Sequence, residues 1–188
     1  GYKEYFNYFI SLYTINKLPK TLLLNGQKGL GKSTFAYHFI NYLLSPSYDL
    51  ENFKINKNDT TFLKTQNLTH PNFFLIDKNV SEEFIKIEQS RKLLNFLNKS
   101  TYQKDLKLIL IDNVELMNRN SSNALLKALE EPTDNTHFIL IHDAARPILE
   151  TIKSRSVQFN IHFSFNDKKN ILKKIAKNYG YEVIDESL

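Results

Sequence analysis

The sequence predicts an α/β fold in which a parallel sheet is flanked by helices. Short apolar runs alternate along the chain with segments whose apolar residues recur at helical spacing, a pattern typical of parallel strands joined by helices. The run Leu106–Ile111 is almost unbroken, as expected of a central strand covered on both faces. A glycine-rich segment follows the first apolar run and precedes a helical segment, which is typical of a phosphate-binding loop in such a sheet.

The first part of the chain predicts a helix, a strand and a second helix, in that order. Aromatic and aliphatic residues recur at helical spacing over Tyr5–Tyr13, and Pro19 ends this unit. The apolar run Thr21–Leu24 predicts a buried strand. The segment Ser33–Leu44 carries its apolar residues on one helical face and predicts a helix, which Pro46 stops.

After the second predicted helix comes a polar stretch, Ser45–Pro71. It is rich in Asn and Lys and is expected to be a long excursion on the surface. Further strands are predicted at Phe73–Ile76, Leu106–Ile111, His137–Ile141 and Val157–Ile161. Four further helices are predicted. The first is Glu88–Leu97, and the second is capped by Ser121 or Ser122 and ended by Pro132. The third is Arg146–Lys153, with Pro147 in its first turn, and the fourth is Asp167–Tyr179, which Asn166 caps and Gly180 stops.

Composition and charge narrow the classes of function. The chain of 188 residues has no Cys, which excludes disulfides, cysteine-based zinc sites and a cysteine nucleophile, and fits a reducing cytosol. Its 25 Lys and Arg exceed its 20 Asp and Glu, and the net charge of +5 suits a nucleic-acid partner but is equally typical of a solvated surface. No apolar run approaches the roughly 18 residues that span a bilayer.

The segment Gly26–Ser33 carries the phosphate-binding pattern G-x-x-x-x-G-K-[ST] in full. Glycines let several backbone N–H groups wrap around one anion, and the following helix directs its positive N-terminus at the same anion. Lys32 is expected to bridge the β- and γ-phosphates of a nucleotide, and the Ser33 hydroxyl to bind Mg²⁺. The predicted nucleotide-binding residues are Gly26, Gln27, Lys28, Gly29, Leu30, Gly31, Lys32, Ser33 and Thr34.

A carboxylate at a strand end is the second candidate for the same site. Asp112 directly follows the buried run Leu108–Ile111, and the carboxyl ends of parallel strands meet at one edge of a sheet. Beside the glycine-rich loop, this carboxylate would hold Mg²⁺ together with Ser33. Asp112 alone would equally suit the cap of a turn, so its role as a metal ligand depends on the loop upstream.

Six segments carry a more specific pattern, and they follow one another along the chain as Gly26–Ser33, His70-Pro71, Ile85–Arg91, Asp112–Asn118, Asn123–Pro132 and Ser154–Ser156. In this order they resemble the AAA+ clamp-loader ATPases of bacterial replication. The glycine-rich loop is shared by many nucleotide-binding proteins, whereas the segment Asn123–Pro132, which reads NALLKALEEP, is very specific to clamp loaders.

The resemblance implies a AAA+ nucleotide-binding core over residues 1–164, then the beginning of a helical lid domain over residues 165–188, without the family's collar domain. It implies ATP or ADP with Mg²⁺ as the cofactor, and no zinc. The implied partners are the other subunits of a hetero-pentameric clamp loader and, through that complex, the sliding clamp and primed DNA, with no membrane. The protein would then be cytoplasmic and part of a DNA-directed DNA polymerase complex.

The resemblance also assigns Arg155 the role of an arginine finger. Such a finger acts in trans: it completes the nucleotide site of a neighbouring subunit by stabilising charge on the γ-phosphate. Taken without the resemblance, a lone arginine would suit a surface ion pair better.

Two departures from the family pattern concern catalysis. Asn113 follows Asp112 where active members have Glu, and an amide cannot accept a proton from the attacking water. Glu115 lies two residues further along, and the sequence alone does not decide whether its carboxylate reaches the same place. Asp143, or else His142, stands where a neutral polar residue normally faces the γ-phosphate, and a carboxylate there would repel that phosphate. These changes predict a subunit that binds nucleotide but hydrolyses it poorly or not at all.

A third departure concerns zinc. Ser156 replaces a cysteine of the family, and the stretch Ser45–Pro71 occupies the place of a four-cysteine zinc module without one ligand thiol.

Three other functions remain open from the sequence. A self-sufficient ATPase, such as the motor subunit of the same loader or a helicase loader, is disfavoured by Asn113 and Asp143. A small-molecule kinase would share the glycine-rich loop but needs a lid rich in Arg, and this chain has few Arg. A scaffold with a vestigial loop is disfavoured by the intact loop.

Overall fold

The computed structural model describes residues 2–78, 82–99, 106–133 and 135–178. Its helices are α1 (Tyr2–Thr14), α2 (Lys32–Leu44), α3 (Thr60–Gln66), α4 (Ile87–Leu97), α5 (Arg119–Glu130), α6 (Glu150–Lys153) and α7 (Phe165–Asn178). Its strands are β1 (Thr21–Gly26), β2 (Phe73–Ile76), β3 (Lys107–Ile111), β4 (Thr136–Asp143) and β5 (Val157–Asn160). A 3₁₀ turn, Val114–Leu116, follows β3.

In the described residues five strands form one sheet, in the order β2-β3-β4-β1-β5. Every neighbouring pair of strands runs parallel. All residues of β3 are buried, which agrees with the unbroken apolar run that predicted a central strand. The predicted parallel sheet flanked by helices is confirmed.

The side chains of alternate β1 residues pack in two apolar clusters, one on each face of the sheet. Leu22 and Leu24 pack in a cluster with residues of α1 and α2. Leu23 packs in the other cluster with Leu93 of α4 and Leu125 of α5. The sheet is therefore covered on both faces, as the sequence of its strands requires. Among the described residues, no helix is long and apolar enough to cross a membrane.

The polar stretch Ser45–Pro71 is attached to the core by two aromatic residues. Phe6 of α1 lies at the centre of an aromatic cluster with ring centroids 5.3 to 6.0 Å away, formed by Phe35, Phe39, Tyr42, Tyr48 and Phe53. Tyr48 and Phe53 belong to the polar stretch, so ring packing anchors this stretch to α1. The stretch also contains α3, which the sequence did not predict and which Asp59 caps by accepting from the Thr61 N–H at 3.2 Å.

The helix after β3 begins earlier than predicted. Asn118 caps α5, because its side-chain oxygen accepts from the Ser121 N–H at 2.9 Å. The predicted caps, Ser121 and Ser122, are instead buried inside the helix, and the Ser121 hydroxyl donates to the Ile85 carbonyl at 2.7 Å. The prediction of the cap was therefore wrong by three or four positions.

The starts of the last two helices also differ from the prediction. The short helix α6 begins at Glu150 after Leu149, so Pro147 lies before the helix and not in its first turn. For α7, the Ser164 hydroxyl donates to the Asp167 carboxylate at 2.6 Å, and the Asp167 N–H donates back to Ser164 at 3.1 Å. Ser164, rather than the predicted Asn166, therefore caps this helix. The predicted stop, Gly180, lies outside the described residues.

The carboxyl ends of four parallel strands place their last residues along one edge of the sheet. In the register of β1 and β4, Gly26 pairs with Asp143. In the register of β2 and β3, Ile76 pairs with Ile111, so Asp77 and Asp112 follow at neighbouring strand ends. Ligand sites of open parallel sheets form at this edge.

Candidate functional site

The glycine-rich loop has the backbone conformation that its glycines make possible. Gly29 and Gly31 have φ angles of 84° and 80°, in the left-handed region that favours glycine. At Gly26 a Cβ atom would lie 2.7 Å from the carbonyl oxygen of Ile161, the residue after β5, so only glycine fits at this position. Gly31 then stands at the N-cap position of α2 and leaves the first N–H groups of that helix free of any side-chain cap.

Lys32 is buried beneath this loop, with 5% of its surface exposed. Its ammonium group donates to the Gly26 carbonyl at 2.6 Å and to the Gln27 carbonyl at 2.7 Å. Burial lowers the pKa of Lys32, and the charges of Asp143, Glu115 and Asp112 oppose that change. The predicted phosphate-binding lysine is thus held at the loop, among carboxylates at the sheet edge.

Ser33 and Asp112, the two predicted metal ligands, are brought together. The Ser33 hydroxyl donates to the Asp112 carboxylate at 2.7 Å. Burial raises the pKa of Asp112, and the charge of Asp77 adds to this, whereas the hydrogen bond from Ser33 lowers it. An adjacent hydroxyl and carboxylate fit Mg²⁺, which takes one or two carboxylates and completes its shell with phosphate oxygens and water. In the described part of the chain, no group of three or more His, Cys, Asp or Glu side chains is arranged to hold a metal ion.

Asn113 is fixed by a carboxylate that the sequence interpretation missed. Its side-chain amide donates to the Asp77 carboxylate at 2.9 Å, and its backbone N–H donates to the Asp112 carboxylate at 2.9 Å. Its own backbone is left-handed, with φ 57°, a conformation that Asn tolerates well. A signal for Asp77 existed, because this residue directly follows a predicted strand, as Asp112 does.

Glu115 reaches the site although it lies two residues beyond Asn113. The 3₁₀ turn Val114–Leu116 carries it across to β4, where its carboxylate accepts from the Asp143 N–H at 3.2 Å. The sequence left the reach of this side chain open, since the turn after β3 decides it.

Asp143 and His142 were both candidates at the end of β4; Asp143 pairs in register with Gly26 of the loop, and its charge opposes the lowering of the Lys32 pKa by burial. The His142 ring is buried and bonds elsewhere, to the Asn25 side chain at 2.8 Å and the Arg146 carbonyl at 3.0 Å.

A cavity of about 520 Å³ opens beside the loop. Its lining combines Gly31 and Thr34 of the loop end with the aromatic side chains Tyr2, Phe6, Phe35, His38, Tyr48 and Phe53. An apolar, aromatic cavity next to a phosphate-binding loop has the size and chemistry to take a planar ring. The sequence did not predict this cavity, because its walls come from distant segments.

Arg155 lies between α6 and β5 and is engaged within its own chain. Its guanidinium forms an ion pair with Glu130 at the end of α5, donating from Nε at 2.7 Å and also from Nη2. Nη1 donates to the Thr151 carbonyl at 2.9 Å. The side chain is 27% exposed, so the surface ion pair that a lone arginine suggested is present.

Known proteins resemble this chain in sequence. The profile of the family described as "DNA polymerase III, delta subunit" matches residues 1–164. A DNA polymerase III subunit delta' from Pseudomonas aeruginosa is 35% identical over 136 residues, which is 72% of this chain and 41% of that protein. A DNA polymerase III subunit gamma from Buchnera aphidicola is 31% identical over 185 residues, 92% of this chain and 47% of that protein. This chain spans about half the length of the curated relatives it matches.

Solved structures agree in fold. A DNA polymerase III gamma subunit-related protein from Thermotoga maritima superimposes with a TM-score of 0.63 at 22% identity, covering 90% of this chain and 52% of that one. The Holliday junction branch migration motor RuvB of the same organism gives a TM-score of 0.57 at 18% identity, covering 97% and 52%. At such identities the likeness shows the fold alone, which is the predicted AAA+ type.

Proposed function

The chain belongs to the DNA polymerase III delta subunit family, and from that premise we propose that it is a clamp-loader subunit that binds nucleotide weakly, with little or no turnover. In this proposal it supplies Arg155 to the nucleotide site of a neighbouring subunit. Its partners are the other subunits of a hetero-pentameric loader in the bacterial cytoplasm. The sliding clamp and primed DNA are reached through that complex.

The observation that carries the proposal is an intact phosphate-binding loop beside Asn113. The loop supplies the backbone N–H groups, the buried Lys32 and the Ser33–Asp112 pair that a nucleotide with Mg²⁺ requires. Asn113, by contrast, offers an amide whose N–H₂ group already donates to Asp77. Because an amide does not take up the proton of the attacking water, binding is retained and hydrolysis is impaired.

The residues of the loop have separate tasks in binding. The N–H groups at the start of α2 donate to phosphate oxygens, and Lys32 exchanges its two carbonyl partners for those oxygens. Ser33 and Asp112 would hold Mg²⁺, which would supply positive charge against the phosphates. The aromatic cavity beside Thr34 receives the base.

The exposure of Arg155 and the weakness of its ion pair support a role for this residue in the site of a neighbouring subunit. Its guanidinium is partly exposed, and its carboxylate partner, Glu130, is itself 46% exposed. A partly exposed ion pair contributes only about 0.2–1 kcal/mol, so a phosphate of a neighbouring subunit can replace Glu130 as the partner.

The domain boundary forms part of the proposal. The family match ends at residue 164, and α7 begins at Phe165 with its own cap at Ser164. These observations support a nucleotide-binding core over residues 1–164 and the beginning of a lid domain over residues 165–188.

The test uses the full protein, reconstituted with the other loader subunits, clamp and primed DNA. Arg155→Ala should lower the ATPase activity of the complex severalfold and leave nucleotide binding by this protein intact. Lys153→Ala, which removes a neighbouring exposed cation, is the matched control and should change neither. Normal ATPase activity of the Arg155→Ala complex would rule out the role in trans.

Binding is measured separately, by titration of the isolated full protein with a fluorescent ATP analogue and Mg²⁺. Lys32→Ala should abolish this binding. If the unmodified protein binds neither ATP nor ADP at about millimolar concentration, the loop is vestigial and the protein acts as a scaffold.

A second candidate function is a self-sufficient ATPase. It is favoured by the relative named subunit gamma, which aligns with 92% of this chain, and by the carboxylate of Glu115, which reaches the sheet edge. Steady ATP hydrolysis by the isolated full protein, abolished by Lys32→Ala, would support this candidate over the first.

A further inference from the structure

We propose that the loop site selects a nucleoside diphosphate over a triphosphate, because Asp143 and Glu115 place two negative charges where a γ-phosphate would lie. This inference rests on the proposed nucleotide binding and concerns the class of nucleotide that is held. Asp143 and Glu115 are thereby specificity-determining residues rather than catalytic ones.

The position of the γ-phosphate follows from Lys32. In a loop of this kind the lysine reaches the β- and γ-phosphates, so a charge that acts strongly on its ammonium group also acts on the γ-phosphate. The Lys32 ammonium group donates to the Gly26 carbonyl at 2.6 Å, and Gly26 pairs in register with Asp143. Glu115 and Asp112 lie at the same edge of the sheet as Asp143. All three are carboxylates, and only Asp112 is paired with the serine that would share a metal ion with it.

Asp143 is fixed at this position by the sheet. It is the last residue of β4, and it pairs in register with Gly26, the first residue of the loop. Its backbone carbonyl accepts from the Arg146 N–H at 2.9 Å, and its carboxylate accepts from the Ala145 N–H at 3.1 Å. The turn after β4 therefore holds this carboxylate beside the start of the loop.

Glu115 is fixed next to Asp143 by the hydrogen bond from the Asp143 N–H, at 3.2 Å. The Glu115 carboxylate thus lies against the backbone at the end of β4, whereas Ser33 and Asp112 form the proposed metal pair beside the end of β3. A diphosphate keeps its contacts with the loop N–H groups, Lys32 and Mg²⁺. A triphosphate adds a charged group that meets Asp143 and Glu115.

The expected effect is large enough to measure. Near a protein surface the effective dielectric constant is about 20, and unit charges a few ångströms apart still interact substantially there. We therefore expect ADP to bind at least about tenfold more tightly than a triphosphate, a ratio that corresponds to about 1.4 kcal/mol.

The test is calorimetric titration of the full protein with ADP and with a β,γ-imido analogue of ATP, each with Mg²⁺. Asp143→Asn and Glu115→Gln, alone and combined, remove the charges and keep the shape of the side chains. The combined variant should bind the triphosphate analogue more tightly and ADP almost unchanged, which brings the ratio close to one. Glu131→Gln removes an exposed carboxylate near the amino end of β4, at the opposite edge of the sheet, and should leave the ratio as it is.

The outcomes separate this inference from the proposed function. Equal affinities in the unmodified protein, or a ratio that the combined variant does not change, would overturn the inference and leave nucleotide binding intact. Binding of neither nucleotide would overturn the proposed binding, and the inference with it. Thermal melting of each variant checks that the fold is retained.

Discussion

Arg155 and Glu130 are joined through a single oxygen: the Nε and Nη2 groups of the guanidinium both donate to Oε1 of the carboxylate. Glu130 ends α5, within the segment that resembles clamp loaders most specifically, and Arg155 follows α6. The proposed finger and the specific helix are therefore in direct contact. In the isolated chain, the charge that would serve a neighbouring site is balanced by this carboxylate.

The first prediction concerns this ion pair. Glu130→Gln keeps a hydrogen-bond acceptor but removes the competing charge, so Arg155 should transfer more readily to a neighbouring phosphate. We expect the ATPase activity of the assembled loader to rise by up to about fivefold, since a partly exposed ion pair contributes about 0.2–1 kcal/mol. The same substitution made in the Arg155→Ala background should have no effect. A fall in activity with Glu130→Gln would mean that Glu130 positions the finger instead of competing for it.

The second prediction concerns the amide that faces Asp77. Asn113→Glu alone would set two carboxylates against each other and should restore little hydrolysis, because the introduced carboxylate is repelled from its place. Combined with Asp77→Asn, it exchanges the amide and the carboxylate and remakes their hydrogen bond in reverse. We expect ATP hydrolysis by the double variant to rise about 100-fold, the lower range of what a general base contributes.

The measurement is steady-state ATP hydrolysis by the isolated full protein at saturating nucleotide. Asp77→Asn alone is the control and should stay as slow as the unmodified protein. Should Asn113→Glu alone be as active as the double variant, Asp77 would have no influence on this position.

The sequence predicted the parts of the fold that depend on periodicity. The central strand Leu106–Ile111 and the loop Gly26–Ser33 were identified because burial on two faces and phosphate binding each require a particular run of residues. Residues whose role depends on contacts between distant segments were missed or left open. Whether Glu115 meets β4 depends on a 3₁₀ turn, and Asp77 matters only because β2 pairs with β3.

Helix α3 was missed for a related reason. Its segment Thr60–Gln66 is polar and exposed for most of its length, so it shows no clear apolar period. A single cap at Asp59 and contact with the rest of the molecule decide its conformation, and the sequence pattern does not reveal either. The Tyr48 and Phe53 anchors were hidden in the same way, since isolated aromatic residues in a polar stretch carry no periodicity.

The third prediction concerns the aromatic cluster around Phe6, which is 2% exposed. Phe6→Ala removes the ring that links α1, α2 and the polar stretch, and should lower the free energy of unfolding by about 3–5 kcal/mol. Ile15→Ala, at a site that is 57% exposed, is the control and should change it by less than about 0.5 kcal/mol. Urea denaturation followed by circular dichroism measures both. A small loss for Phe6→Ala would mean that the polar stretch packs independently of α1.

The last prediction is a loss of stability at mildly acidic pH, caused by one buried and two partly buried histidines. Burial lowers the pKa of His38, His70 and His137 below the ordinary value of 6.5. The unfolded chain therefore takes up these protons first as the pH falls. The stability that the neutral rings contribute is fully present above pH 6.5 and is lost as the pH falls from 6.5 towards the lower pKa values of the folded state. Acidification thus favours unfolding over this interval.

Thermal melting between neutral pH and pH 5 measures this loss. The combined variant His38→Asn, His70→Asn and His137→Asn should melt at a temperature that varies much less over that interval, even if its melting temperature at neutral pH is lower. His162→Asn, at an exposed position, should keep the pH dependence of the unmodified protein. The combined variant has none of these three histidines. If its melting temperature depends on pH as strongly as that of the unmodified protein, other groups cause the acid sensitivity.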